Sequence, residues 1–311
     1  MNKVCVLGSL NIDVVINVKK MPQVGETILG DNLKNASGGK GANQAVAARR
    51  CGAKVTMIGK IGNDNSGKTL IDSLKKDSIN VDYVTVDAVS PTGTALITVN
   101  EEGNNSIIVV PGANMTISHE EIQNAAKIIE DSHIIISQFE TPINAAIDAF
   151  KIARGKNVIT ILNPAPANKI PEELYSLTDI IAPNETEVYE LTGIKVENLE
   201  DAKSAAQIFL QKGVKYVIVT LGEKGAALIS KDRADIVPAY KVYAVDTTAA
   251  GDSFLGALAC KLKTKSLEFN DLIDAIGFGN MVSSIVVQKE GAQPSIPYLE
   301  ETTRIFKEIN F

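Results

Sequence analysis

The sequence predicts an α/β fold: a three-layer α/β/α sandwich with a mostly parallel central sheet and a small β-sheet lid. Short apolar, β-branched runs alternate with segments of helical periodicity along most of the chain. Two regions break this alternation and have strand patterns only. Since α/β chains of 311 residues often fold around one core, we expect a single domain, 1–311, rather than two.

The strands predicted for the main sheet are rich in Val and Ile, and each precedes a segment with one apolar face. These strands are Lys3–Leu7, Lys54–Ile58, His133–Ser137, Asn157–Leu162, Asp179–Ala182 and Lys215–Leu221. The helical segments include Ala42–Arg50, Gly67–Lys76, Asn144–Arg154 and Asp201–Lys212. A capping-box pattern from Ser118 to Glu121 opens a further helix, Ile122–Glu130. Strand–helix alternation favours parallel pairing, because parallel neighbours need long crossover connections.

The two regions without helical periodicity are 13–36 and 92–110. Both contain short amphipathic strands joined by turn residues such as Pro22, Gly25 and Gly30. We expect them to form one small sheet over the end of the main sheet, where α/β proteins bind ligands. This sheet would act as a lid.

Composition excludes several classes of protein. The net charge of −6 argues against nucleic-acid binding, which depends on clustered Lys and Arg. Three distant cysteines and two histidines make a thiol- or His-built metal centre improbable. No apolar run approaches the roughly 20 residues of a membrane span, and the apolar part of the N-terminus is short for a signal peptide. We expect a cytoplasmic protein with a small-molecule partner.

The most informative motif is the run Asp246-Thr247-Thr248-Ala249-Ala250-Gly251-Asp252, which enters an apolar helix. Small residues at 249 to 251 let a phosphate reach the unpaired N–H groups of the starting helix. Asp252 then lies in the first turn, where it can take a proton from a hydroxyl that attacks the phosphoryl group. By itself the run is equally typical of a loop followed by a helix-capping Asp.

Two further segments have donors and acceptors suited to a sugar. Gly38-Gly39-Lys40-Gly41-Ala42-Asn43 lets a ligand approach the backbone closely, and Lys40 and Asn43 offer donors for hydroxyl groups. Asn11 and Asp13 face the same side of an extended segment, an arrangement that suits a vicinal diol. A flexible turn and an Asx turn are the structural alternatives.

A competing signal is the run from Gly62 to Thr69, which matches the Walker A pattern after a strand and before a helix. Asp64 argues against it, because a carboxylate inside a phosphate-wrapping loop repels the ligand and is better placed as a helix N-cap. The segment Asn184-Glu185-Thr186-Glu187 follows another strand and could meet a nucleotide or only begin a helix. Thr220–Gly225 is a turn bracketed by glycine and could be only a hairpin.

Together these segments resemble the ribokinase-like, or phosphofructokinase B, family of sugar and nucleoside kinases. The resemblance runs from Val4 to Ser295; Gly38–Asn43 looks like the first family signature and Asp246–Asp252 like the second. Many members carry Gly where this chain has Ala249. The resemblance implies a transferase that moves the γ-phosphoryl group of MgATP to O5 of D-ribose. It also implies activation by a monovalent cation, usually K⁺, and a homodimer formed through the lid.

The resemblance assigns roles residue by residue. Asp252 would be the catalytic base, with Ala250 and Gly251 as the anion hole. Ribose would be held by Asn11, Asp13, Gly39, Lys40, Asn43 and Glu140 together with Asp252. ATP would contact Asn184, Thr220, Gly222, Gly225, Gly251 and Asn280. The cation would lie at Asp246, Thr248, Val286, Lys289, Gly291 and Ser295, and Glu187 would reach Mg²⁺ through water.

Other functions stay open at this point. A kinase of the same fold for deoxyribose, another sugar or a nucleoside is the nearest alternative. The scarcity of aromatic residues near the lid argues against a nucleobase. A P-loop NTPase, or a non-catalytic sugar-binding regulator on a kinase scaffold, would fit the sequence less well.

Overall fold

The main sheet of the computed structural model, which describes residues 1–265 and 267–309, has nine strands among these residues. In chain order they are β1 (Lys3–Leu7), β4 (Lys54–Gly62), β5 (Asn80–Asp87), β8 (Ile134–Ser137), β9 (Ile159–Leu162), β10 (Ile180–Ile181), β11 (Tyr216–Thr220), β12 (Ala226–Ile229) and β13 (Ala234–Val237). Their order across the sheet is β13-β12-β11-β10-β9-β8-β1-β4-β5. All neighbours pair in parallel except β11 with β12 and β12 with β13. The predicted α/β class is confirmed.

Helices cover both faces of this sheet. One layer contains α1 (Lys40–Arg50), α2 (Asn65–Lys76), α9 (Ala250–Lys261) and α10 (Phe269–Val286). The opposite layer contains α3 (His119–Asn124), α4 (Ala126–Glu130), α5 (Ile143–Arg154), α6 (Glu172–Leu177), α7 (Glu185–Thr192) and α8 (Leu199–Gln211). A last helix, α11, spans Leu299–Ile309.

The side chains of strand β1 pack alternately against the two helical layers. Val4 and Val6 belong to the core under α1 and α9, whereas Cys5 and Leu7 belong to the core under α3 to α8. This division follows from the alternation of side chains along a strand. All four residues are at most 1% exposed, which explains why the run is apolar throughout rather than alternating with polar residues.

A second sheet of four strands accounts for the regions without helices. Its strands are β2 (Asn11–Val18), β3 (Gly30–Gly38), β6 (Gly93–Asn100) and β7 (Asn105–Val110), in the order β3-β2-β6-β7. The β2–β3 and β6–β7 pairs are antiparallel, whereas β2 and β6 pair in parallel from Asn11↔Gly93 to Val18↔Asn100. The parallel pair forms because the chain passes through α1, β4, α2 and β5 of the main body between β2 and β6.

The structure differs from the predicted elements in detail. The predicted helix Ile122–Glu130 is two helices, α3 and α4, because the chain turns at Ala125, where ψ is 0° and one N–H is shared between the carbonyls of Glu121 and Ile122. The capping box of Ser118 and Glu121 forms as expected, but it opens the helix at His119. The predicted strand Asp179–Ala182 shortens to β10. Within the described part of the chain, no helix combines the length and apolar character that crossing a membrane would need.

Candidate active site

Helix α9 begins within the Asp246–Asp252 run, and Asp252 lies in its first turn, as the sequence predicts. Ala249 adopts a left-handed conformation (φ 60°) as the N-cap residue, and among the described residues no side chain caps this helix end. The Ala250 N–H donates to the Thr247 carbonyl at 3.2 Å, so it is engaged within the turn. A Cβ built on Gly251 would meet no atom within 4 Å in the described structure, which leaves open space in front of this turn. The site therefore combines a helix dipole with room for an anion.

Two amides of helix α1 hold the carboxylate of Asp252. Asn43 Nδ2 donates to Asp252 Oδ2 at 3.0 Å, and Gln44 Nε2 donates to Asp252 Oδ1 at 3.1 Å. Asp252 is 8% exposed, so the carboxylate is fixed beside the helix end rather than moving in solvent. The two amides thus hold both carboxylate oxygens in a defined position, from which a proton of a bound hydroxyl could be accepted.

The Gly38–Asn43 motif brings α1 against the corner between β1 and β2. Gly39 has φ 92°, and a Cβ at this position would lie 2.8 Å from the Asn11 backbone nitrogen, so only glycine fits. Asp13 lies against Gly38, whose built Cβ would be 2.1 Å from the Asp13 carboxylate. The structure therefore brings Asn11, Asp13 and the glycine motif together, as the sequence predicts.

Glu140 reaches the same corner from the loop after β8. Its Oε2 accepts hydrogen bonds from the hydroxyl of Ser9 and, at 3.2 Å, from the backbone nitrogen of Lys40. Asn43 completes this group through its bond to Asp252, and its Oδ1 is buried with no partner in the part of the chain that is described. A buried acceptor left without a donor costs free energy, which a ligand hydroxyl would recover.

Charges at this corner are strongly coupled. Burial, followed by the nearby carboxylates of Glu140 and Asp252, raises the pKa of Asp13 to about 7. For Lys40, burial disfavours the ammonium form, but Asp252, Glu140 and Glu187 outweigh burial and raise its pKa. Lys40 thus supplies a positive charge near the carboxylates of Asp252, Glu140 and Glu187. Groups with shifted pKa values in a cleft are typical of functional sites.

The pKa of Asp13 leads to a stability prediction. Because the folded chain keeps Asp13 protonated up to about pH 7 while the unfolded carboxyl titrates near 3.8, the native state binds more protons in this window. The contribution of Asp13 to stability is therefore lost as the pH rises. We expect Asp13→Asn to gain about 1 to 3 kcal/mol of unfolding free energy relative to the wild type between pH 5 and pH 7.5.

Urea unfolding of the two proteins without ligand, at several pH values, measures this difference. Asp72→Asn on the exposed side of α2 is the matched control, and its stability should follow the wild type at every pH. Parallel stability curves for Asp13→Asn and the wild type would contradict the assignment.

A pocket of about 190 Å³ opens beside the helix end. It is lined by Lys40, Asn163, Ala165, Ala182, Asn184, Glu187, Thr220, Thr247, Ala249, Ala250, Gly251, Asp252 and Leu255. Asn184 and Thr220 form an isolated bridge between neighbouring strand ends, which brings two predicted nucleotide residues together. The pocket therefore joins three of the six predicted nucleotide residues, Asn184, Thr220 and Gly251, to Asp252.

Glu187 is fixed at the floor of this pocket by a capping box. Its Oε2 accepts from the Asn184 backbone N–H at 2.9 Å, its Oε1 accepts from Asn184 Nδ2 at 3.0 Å, and the Asn184 side chain caps α7 in return. Burial raises the pKa of Glu187 despite the Asn184 backbone bond and Lys40. Both oxygens hold donors already, so the residue fits an outer contact to Mg²⁺ through water better than a direct one.

The other three predicted nucleotide residues, Gly222, Gly225 and Asn280, are not part of the pocket lining, and two of them, Gly225 and Asn280, contact the segment that follows β13. A Cβ on Gly225 would lie 2.1 Å from the Val237 carbonyl. Asn280 Nδ2 donates to the carbonyls of Val237 and Pro238 at 3.0 and 3.1 Å. The amide nitrogen of Asn280 is thus already hydrogen-bonded, and it holds the backbone at residues 237 and 238. Gly222 starts the short 3₁₀ turn Gly222–Lys224, and the hairpin from β11 to β12 forms there.

The predicted cation residues form one hydrogen-bonded set around Asp246 and two separate local contacts. Asp246 bonds two of the others: its Oδ1 accepts from the N–H and the hydroxyl of Thr248 at 2.9 and 2.6 Å, and its Oδ2 accepts from the Gly291 N–H at 2.8 Å. The Val286 carbonyl accepts from the Lys289 N–H at 3.1 Å, and the Ser295 hydroxyl donates to the Ala292 carbonyl. The carboxylate, hydroxyl and carbonyl oxygens of these loops suit a hard cation.

The Walker A match does not form a phosphate loop. Asp64 is the N-cap of α2, and its carboxylate accepts from the backbone nitrogens of Gly67 and Thr92 at 2.8 and 2.9 Å. These bonds use the donors that a phosphate would need and place a negative charge among them. Lys68 is exposed and is not part of the pocket lining.

Sequence reasoning missed two residues of the site. Gln44 bonds to Asp252, and its position directly after Asn43 in the glycine motif is the only signal that could have indicated it. Asn114 accepts from the Leu10 N–H at 2.9 Å and donates to Asn11 Oδ1 at 2.8 Å, so it fixes the chain where β2 begins. No local pattern around Asn114 points to this role.

Comparison with known proteins gives consistent matches over the whole chain. The model of the pfkB family of carbohydrate kinases matches residues 1–299. The chain is 47% identical to a ribokinase of Staphylococcus aureus over 305 residues, covering 98% of this chain and 99% of that protein. It is 35% identical to a deoxyribokinase of Salmonella typhi, covering 96% of each. The structure of Arabidopsis thaliana ribokinase complexed with ribose and ATP superposes with a TM-score of 0.89 at 32% identity, covering 98% and 99%.

Proposed function

The chain belongs to the pfkB family of carbohydrate kinases, and we propose that it transfers the γ-phosphoryl group of ATP to O5 of D-ribose, giving D-ribose 5-phosphate and ADP. One observation carries this proposal. Asp252, held by two amides, lies between the Asn11, Asp13 and Glu140 corner and the pocket that contains Asn184 and Thr220. A sugar hydroxyl and a phosphate would meet at this carboxylate.

The reaction follows from the arrangement of these residues. Asp252 accepts the proton of the sugar O5 hydroxyl as the oxygen attacks the γ-phosphorus, and the bond to the bridging oxygen of ADP breaks. The N-terminus of α9, at Gly251, opposes the charge on the transferring group, and Lys40 adds a positive charge nearby. Mg²⁺ bound with ATP would neutralise phosphate charge, with Glu187 as its water-mediated contact.

Cation activation and dimer formation are further parts of the proposal. The oxygen-rich loops joined by Asp246 support a monovalent cation site, K⁺ being the ion that the family resemblance suggests. The edge strands β3 and β7 of the small sheet support a homodimer: all six residues of β7 are exposed, and Leu33, Ile107 and Ile108 are 53 to 62% exposed. The small sheet would then be a lid shared between two copies. A cytoplasmic location stays a prediction.

Deoxyribose is the second candidate substrate, because a deoxyribokinase is among the relatives. ADP release with MgATP, in K⁺ and in Na⁺, measures turnover with ribose, 2-deoxyribose, fructose and adenosine. We expect ribose to give the highest kcat/KM and K⁺ to support faster turnover than Na⁺. A site that hydrogen-bonds a hydroxyl rejects a sugar that lacks it, because its polar groups then stay unpaired. A higher kcat/KM with 2-deoxyribose would change the substrate and keep the kinase mechanism.

A further inference from the structure

Gln44 lies behind the carboxylate of Asp252 and is completely buried. Its Nε2 donates to Asp252 Oδ1 at 3.1 Å and to Asn163 Oδ1 at 3.2 Å, and its Oε1 accepts from Gln138 Nε2 at 2.6 Å. Gln44 and Gln138 are both 0% exposed. Two buried amides in series therefore lead from the end of β8 to the carboxylate.

The direction of these bonds is fixed by chemistry. An ionised carboxylate only accepts, so Gln44 must point its amide nitrogen at Asp252 and its oxygen at Gln138. Gln138 must then donate, and its own Oε1 is left buried without a partner among the described residues. A buried oxygen without a partner costs free energy. This cost follows from the arrangement in which Gln44 donates to Asp252 and accepts from Gln138.

We propose that Gln44 is a positioning residue for phosphoryl transfer, which orients the Asp252 carboxylate toward the substrate hydroxyl, and that Gln138 acts through Gln44 by fixing its amide. This proposal rests on the proposed function of Asp252 as the catalytic base. Asn43 bonds the other carboxylate oxygen, so the two adjacent amides of α1 fix the carboxylate plane from one side. The remaining lone pairs of the Asp252 carboxylate can accept the proton of a substrate hydroxyl.

Other charged groups also act on Asp252. Lys40 on α1 attracts it, while Asp13 on β2 and Glu187 on α7 repel it. None of these charges contacts Gln44 in the described hydrogen bonds, so replacing Gln44 leaves them in place. A change in the pH dependence of turnover would therefore report the lost donor and not a change in neighbouring charges.

The first variant to test is Gln44→Met, which keeps the side-chain length and removes the donor. We expect kcat with ribose and ATP to fall about 10- to 100-fold, with KM for ribose changed less than about threefold. The acidic limb of the kcat profile should move to higher pH, because a donor to the ionised carboxylate is lost. Gln207→Met on the exposed face of α8 is the matched control and should retain wild-type kinetics.

A double-mutant cycle tests the role of Gln138. Gln138→Met should lower kcat by about 3- to 10-fold in the wild type and have no effect in the Gln44→Met background, since it acts through Gln44. If Gln44→Met does not fold, as judged by circular dichroism, the kcat, KM and pH profile of Gln138→Met decide by the same criteria.

Three results would overturn the proposal: an unchanged kcat in Gln44→Met, a loss confined to KM, or a lower kcat with an unmoved pH profile. The unaltered chain is assayed in parallel. If it lacks sugar-dependent turnover, the proposed function fails and the role of Gln44 fails with it. Wild-type kcat in Gln44→Met, with an active unaltered chain, refutes only the role of Gln44.

Discussion

Replacing Asp252 by asparagine is expected to lower kcat for ribose phosphorylation about 100- to 10,000-fold, because the amide cannot accept the proton of the attacking hydroxyl. Asparagine has the same shape, but its amide nitrogen must face one of the two amide donors, Asn43 or Gln44, which costs some stability. The variant should still fold and bind ribose. ADP release gives kcat, and calorimetry gives ribose affinity in the absence of nucleotide.

Lys68→Ala is the decisive comparison for Asp252→Asn. A P-loop enzyme would lose activity with Lys68 and retain most of it without Asp252, whereas the proposed kinase should keep turnover within about twofold in Lys68→Ala. The exposed position of Lys68, outside the pocket, is the structural reason. Substantial turnover in Asp252→Asn would refute the assignment of the base.

Placing valine at Gly251 should lower kcat/KM for ATP about 100- to 1,000-fold, because the side chain fills the space into which the N-terminus of α9 points. The protein should remain folded, since a Cβ at Gly251 meets no atom within 4 Å in the described structure. Valine and glycine differ by less than about 1 kcal/mol in helix propensity, with glycine the less favourable, so the helix should tolerate the change. Steady-state kinetics with varied ATP, together with thermal unfolding, measures both effects.

Gly256→Ala on the same helix, unlike Gly251→Val, should destabilise the fold. A Cβ at Gly256 would lie 2.5 Å from the Gln44 carbonyl and 2.6 Å from the Ala47 Cβ, so it would force α1 and α9 apart. We expect a loss of about 1 to 3 kcal/mol of unfolding free energy from overpacking. Wild-type ATP kinetics in Gly251→Val would show that phosphate does not approach this helix end.

The layers of the fold were predictable from the sequence because a strand that is buried on both faces is apolar at successive positions. Val4 and Cys5 illustrate this pattern, since these adjacent residues enter different cores and both must be apolar. The helix N-terminus at Gly251, which we propose as the anion site, was also predictable, because a helix N-terminus and small residues are local features. Local chemistry and periodicity are the information that a single sequence presents directly.

Long-range contacts were not predictable in this way. Gln44 meets Asp252 only because α1 and α9 pack together, although the residues lie 208 positions apart in the chain. The same holds for Asn280, whose donor is held by two carbonyls 42 and 43 positions away. A polar side chain in an apolar helix carries no sign of which distant partner it will meet.

The parallel pairing of β2 with β6 makes the small sheet one continuous ladder with β2 in its interior. Asn11 and Asp13 lie on β2, so the strand that contributes to the small sheet also presents the predicted sugar contacts. A tilt of this sheet moves those two side chains by the same rotation. If Asn11 and Asp13 bind the sugar as proposed, sugar affinity depends on the position of the sheet. By thermodynamic reciprocity, a partner that favours one sheet position would then change sugar affinity by the same factor by which the sugar changes affinity for that partner.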